Sequence, residues 1–153
     1  MGVFISNAGD ITMAIQINPF TKITLLDPGF VELLNNNIQE SSFDTSDGVI
    51  LNFNPIQDSM GHSLHHPMKF SIGPDGKIQY LTVYSKSASP PVAEADWNFI
   101  EGIFTHYGET KILETARAQF QFQCRHLVGL VKASQYEVTV APLITQPKST
   151  QTT

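Results

Sequence analysis

Residues 115–125 alternate without a break. Ala116, Ala118, Phe120, Phe122 and Cys124 are apolar or small; Thr115, Arg117, Gln119, Gln121, Gln123 and Arg125 stand between them. A period of two over that length is the pattern of a strand with one face in a core and the other in water. It predicts a strand here, continued through residues 127–131 or bulged at Gly129. A sheet has to be built around it, and the rest of the chain offers the strands. Met13, Ile15 and Ile17 alternate with Thr12, Ala14 and Gln16, and residues 7–10 (Asn-Ala-Gly-Asp) make a turn back to residues 3–6. Short strands are predicted over 21–26 and 48–53. Residues 68–72 and 77–84 form the clearest hairpin, turning on Gly73-Pro74-Asp75-Gly76. The final strand is predicted over 136–143.

Two helices interrupt the strands. Asp27-Pro28 reads as an N-cap followed by proline at the first helical position, predicting a short helix over about 28–36 that ends at Asn35-Asn36-Asn37. Ser89-Pro90-Pro91, followed by Glu94 and Asp96, reads as the start of the main helix, over about 92–107, with Gly108 as its stop. The expected fold is therefore α+β and rich in β: an antiparallel sheet, curved into a sandwich or barrel, with one main helix and one short one. Residues 1–146 read as a single domain, and 147–153 as a polar C-terminal tail.

Composition narrows the function classes. Charged residues are 15% of the 153, against about 25% in an average soluble chain. Ser, Thr, Asn and Gln fill the gap with 43 residues. A net charge of -5 argues against a nucleic-acid backbone as partner. No apolar run approaches the roughly 18 residues of a membrane span. No signal peptide is visible, so synthesis and retention in a cytoplasm are expected, with incorporation into a larger particle as an extension of that. The single cysteine, Cys124, has no disulfide partner in the chain and reads as a small core residue.

Motifs of known chemistry are scarce. The chain has no phosphate loop, no G-x-S-x-G, no HExxH and no zinc-spaced Cys/His set, so no cofactor is implied. His62, His65 and His66 cluster before a predicted strand, and His62 and His66 would point the same way on extended chain. Asp44 and Asp47 lie in a segment faintly like a calcium loop, without its ligand spacing. These four, His62, His66, Asp44 and Asp47, are the weak metal candidates; a solvated loop and a turn are the preferred readings of the two segments.

Residues 48–84 resemble the central strands of NTF2-like (SnoaL-like) domains: a strand, a glycine turn, an extended segment, then Asp75-Gly76-Lys77-Ile78, Leu81 and a strand ending in Tyr84. The resemblance implies an apolar pocket and acid/base chemistry of the isomerase, cyclase or hydratase kind. Asp58, His66, Tyr84 and His106 are the residues that would act if they met in one cavity, with a small molecule as partner.

The preferred expectation is different. On a strand over 115–125 the row Gln119, Gln121 and Gln123 would face outward, able to hydrogen-bond without repelling a neighbouring sheet. The predicted main helix would carry an apolar arc too wide for one contact, including Trp97 and Phe104. These five residues are the expected self-association surface. The chain then reads as a structural or binding subunit of a homo-oligomer, of the phage or virion tube or capsid-associated kind, and the pocket enzyme is the alternative.

Overall fold

The computed structural model describes residues 2–5, 11–86 and 90–143, with side chains from residue 14 onward. Strands β1 (Gly2–Ile5) and β2 (Ile11–Ala14) pair antiparallel in a small sheet of their own. The predicted turn between them lies outside the described residues. The third strand expected over 21–26 is absent; that segment holds one isolated bridge, Phe20 to Leu25. Helix α1 (Pro28–Gln39) begins as predicted: the Phe30 amide donates to the Asp27 carboxylate at 3.2 Å and Pro28 opens the first turn. It runs past the asparagines, and Phe30, Leu34 and Ile38 bury one stripe.

Strands β3 (Val49–Pro55), β4 (Met68–Ile72) and β5 (Ile78–Tyr84) follow, and the hairpin β4–β5 turns where the sequence places it. Beyond this point the two strongest expectations exchange places. The segment read as the main helix is a second hairpin, β6 (Ala93–Asn98) and β7 (Ile103–His106). Ala95, Trp97 and Phe99 face inward while Asp96 and Asn98 do not, a period of two that the Pro90-Pro91 signal masks. Asn98 closes the turn by accepting from the amides of Ile100 and Glu101, and Gly102 takes a φ of +75° that suits glycine. Strand β8 (Glu109–Ile112) adds to β7.

The segment read as the long strand is the main helix, α2 (Arg117–Lys132), entered through a 3-10 turn (Leu113–Ala116). Residues 127–131 belong to it too, not to a strand. Its buried residues are Phe120, Cys124 and Leu127, spaced by four and three, and Phe122, which a strand would bury, is 55% exposed. Strand β9 (Tyr136–Pro142) then pairs with β3.

Strand order is β8-β7-β6-β5-β4-β3-β9, antiparallel throughout. The α+β, β-rich, antiparallel class holds; among the described residues the main sheet has β8 and β9 as its edges and does not close into a barrel. One register row crosses all of it: Val140, Leu51, Phe70, Leu81, Trp97, Phe104 and Lys111. Both helices lie on this row's side: Phe30 packs on Phe70 at 5.2 Å between ring centroids, and Phe120 on Trp97 at 6.2 Å. The adjacent row is Thr139, Asn52, Lys69, Thr82, Asp96, Thr105 and Thr110, on the opposite face. Four threonines and one asparagine give that row its polar character. The tail 147–153 lies outside the described residues.

Candidate functional site

Helix α2 lies over one half of the sheet and leaves a cleft of about 390 Å³ between itself and β6–β7. That volume is within the usual range for small-ligand sites, roughly 300–1,000 Å³. Trp97 and Phe104 make an aromatic wall, their ring centroids 4.7 Å apart. Trp97 is fixed by its indole N–H, which donates to the Ala116 carbonyl at 3.1 Å and so ties the sheet to the turn that launches α2. The helix contributes Ala118, Gln119, Phe122 and Gln123, residues one turn apart on its exposed flank. His66, Glu94 and His106 bring titratable groups to the same space.

Glu94 reaches the cleft through an irregularity in the sheet. Along β6, Ala95 and Trp97 face the helices, so strict alternation would send Glu94 to the opposite face. Val83 pairs with Ala95 but Tyr84 pairs with Ala93, which leaves Glu94 as the extra residue of a bulge. A bulge re-aims the side chain it contains, and here Glu94 Oε1 comes within 3.5 Å of His66 Nδ1.

His66 is held from two sides. Its Nδ1 lies 2.9 Å from the Tyr84 carbonyl oxygen. A carbonyl only accepts, so Nδ1 carries the proton and, in the neutral ring, Nε2 is an acceptor. Tyr136 at the start of β9 donates its hydroxyl to the His66 carbonyl at 2.5 Å. Burial of Tyr136 pushes its phenol up to about 12 from an ordinary value of 10.0. The folded protein holds this proton more tightly than the unfolded chain does. The corresponding stability is intact below a pH of about 10 and is lost as the pH climbs toward about 12. Tyr136→Phe is expected to cost about 1 kcal/mol near neutral pH through the lost hydrogen bond. It should also remove part of the alkaline fall in stability. Urea midpoints of both proteins across the alkaline range check this, and an identical alkaline fall in the variant would refute it.

Of the four acid/base candidates, His66 and His106 line the cleft. Asp58 does not: its carboxylate accepts from the Met60 and His62 amides at 2.9 Å and shapes an exposed turn. Nor does the Tyr84 ring, which lies under Lys69 (5.9 Å from Nζ to the centroid) on the polar face of the sheet, while Val83 faces the cleft. The catalytic set implied by the NTF2-like resemblance is therefore not assembled, although residues 48–84 do form consecutive antiparallel strands.

Among the described residues, no three His, Cys, Asp or Glu side chains converge to hold a metal ion. His62 is exposed, and Asp44 accepts from the Ser46 amide, which holds its carboxyl below the usual range. Cys124 is a core residue as expected, 2% exposed, and burial pushes its thiol far up, away from nucleophilic chemistry.

The expected self-association surface does not exist as one surface. Gln119 and Gln123 line the cleft, while Gln121 is on the other flank of α2 and donates to the Thr24 hydroxyl at 2.7 Å. Trp97 and Phe104 are buried at 2% and 6% exposure. A helical period sends Gln121 to a different side from its neighbours, where a strand would have aligned all three. Glu94, Ala118 and Phe122 are site residues that the sequence reading misses; a bulge leaves no signature in a single sequence, and the other two depend on recognising α2.

Among the described residues these elements define an open antiparallel sheet of seven strands, with two helices on one face and β9 returned beside β3. No family model matches the chain, and no curated protein does. Two solved structures from Vibrio cholerae are similar in fold. One is the hypothetical protein VC0508 of the VSP-II pathogenicity island, with a TM-score of 0.60 and 16% identity, covering 81% of this chain and all (100%) of that one. The other is the conserved hypothetical protein VC1805 of pathogenicity island VPI-2, with a TM-score of 0.58 and 21% identity, covering 76% of this chain and 94% of that one. VC1805 is itself described as sharing structural homology with the human P32 protein.

Proposed function

We propose that this chain is a binding protein that seats a small amphipathic ligand in the cleft between α2 and β6–β7, and that recognition rather than turnover is its work. The supporting observation is the bulge that brings Glu94 beside His66 over the Trp97–Phe104 wall. The Glu94–His66 separation of 3.5 Å exceeds a good hydrogen bond, so Glu94 is not coupled to the imidazole as the orienting carboxylate of a catalytic pair would be. The test is to fill the cleft. Ala118 is exposed on α2, so Ala118→Trp should leave the melting temperature within a few degrees while abolishing the binding of aromatic fragments detected by ligand-observed NMR. Fragments that bind the variant as well as the wild type would sink the proposal.

A second reading, assembly between copies in a virion- or phage-type particle or another homo-oligomer, is favoured by one observation. Strand β8 is a sheet edge with all four residues exposed, including Ile112 at 71%. Such an edge can add a strand from a neighbour. A sedimentation measurement that shows only monomer at high concentration would dispose of this reading.

A further inference from the structure

We infer that the ligand of this cleft is a small organic cation, an amine joined to an apolar ring or chain. The inference rests on the binding-cleft reading above and adds the charge of the occupant. Among the described residues of the lining, Glu94 is the carboxylate and none is Lys or Arg. The nearest basic residue in the register is Lys111, paired with Phe104 on the edge strand and outside the lining. Two kinds of group among the other lining residues suit a cation.

The first kind is aromatic. Trp97 and Phe104 form the wall, Phe122 stands half out of the rim, and aromatic faces attract positive charge through their quadrupoles. The second kind is hydrogen-bond acceptors. In the neutral ring of His66, with the Nδ1 proton engaged by the Tyr84 carbonyl, Nε2 is an acceptor. Gln119 and Gln123 each offer a carboxamide oxygen.

An ammonium group has donors only and matches this set. A carboxylate or phosphate would meet Glu94 as a like charge, with no Lys or Arg among the described lining residues to offset the repulsion. Glu94 itself is mostly covered, its side chain 21% exposed, so its attraction is screened less than that of a surface carboxylate. The bulge therefore supplies specificity: without it the carboxylate would lie on the other face and the cleft would be a neutral aromatic slot.

The test uses three molecules of nearly the same shape on the full chain: phenethylammonium, 2-phenylethanol and phenylacetate, titrated by isothermal calorimetry or NMR. The ammonium should bind about tenfold more tightly than the alcohol, and phenylacetate most weakly. Glu94→Gln should bring the ammonium to within about twofold of the alcohol. Phe122→Ala, at an exposed rim position, should weaken ammonium and alcohol alike. If ammonium and alcohol bind equally to the wild type, or Glu94→Gln keeps the preference, the inference about charge is overturned and the cleft reading survives. If none of the three binds, or Phe122→Ala changes neither affinity, the cleft reading fails and this inference falls with it.

Discussion

Phe120→Ala should lower the unfolding free energy by about 3–5 kcal/mol, the usual range for emptying a buried aromatic site. Phe120 is 0% exposed and packs against both Trp97, at 6.2 Å between centroids, and Phe99, at 5.0 Å. It is the residue that seats α2 on β6, and its removal should also loosen the cleft. Trp97 is the single tryptophan of the chain, so its fluorescence reports the transition directly. Phe122→Ala is the internal control: at 55% exposure it should cost under about 1 kcal/mol. A strand over 115–125 would put both phenylalanines on one face and make the two losses similar. Equal losses would therefore contradict the helix itself.

The second large effect is expected at a turn. Gly76 has a φ of +80°, and a Cβ placed there would lie 2.1 Å from the Gln16 carbonyl oxygen, a backbone atom that cannot swing aside. The Asn18 amide donates to the Gly76 carbonyl at 2.9 Å, so the same turn anchors the segment that leads from β2 to α1. Gly76→Ala should cost about 2–4 kcal/mol, part of it from the left-handed backbone and the rest from forcing residues 16–18 away from the hairpin. Gly102→Ala separates the two contributions. Its φ is +75° but nothing lies within 4 Å of the added carbon, so only the backbone cost of about 1–2 kcal/mol remains. Thermal or urea unfolding of both variants decides the matter; equal losses would mean that the contact with Gln16 contributes nothing.

The parts of the fold that were legible in the sequence are those where local chemistry and tertiary environment agree. Asp27-Pro28 can do little but open a helix, and Gly73-Pro74-Asp75-Gly76 can do little but turn. The two exchanged segments are different in kind. Between 116 and 124 the apolar positions satisfy period two, but Phe120, Cys124, Leu127 and Val131 also satisfy a helical stripe, and Ala, Gln, Arg and Leu favour helix. Phe122 decides between them, because it is apolar and yet exposed, which no reading of pattern alone would assume. In the other segment, Pro90-Pro91 imitates a helix start while Ala95, Trp97 and Phe99 follow the strand period.

The site was legible only in fragments. His66 and His106 could be named as candidates because imidazole is rare and versatile in chemistry. Their convergence depends on the pairing of β5 with β6 and on the placement of α2, both long-range features. Glu94 depends on a single unpaired residue in a ladder. The glutamines are uncharged hydrogen-bonding groups on a strand and on a helix alike. The helical period then distributed them between the cleft and the contact with Thr24.

The two neighbouring rows that cross the main sheet have a consequence for how the chain finds its pairing. A strand that slipped by one residue would carry Lys69 or Asp96 beneath the helices and push Phe70 or Trp97 into water, since a one-residue shift exchanges the faces. Burying either charge without a partner, and exposing the rings, would cost several kcal/mol. The open face thus acts as a proofreader of strand alignment during folding: its threonines, asparagines and two opposite charges make a ladder slipped by an odd number of residues a poor competitor.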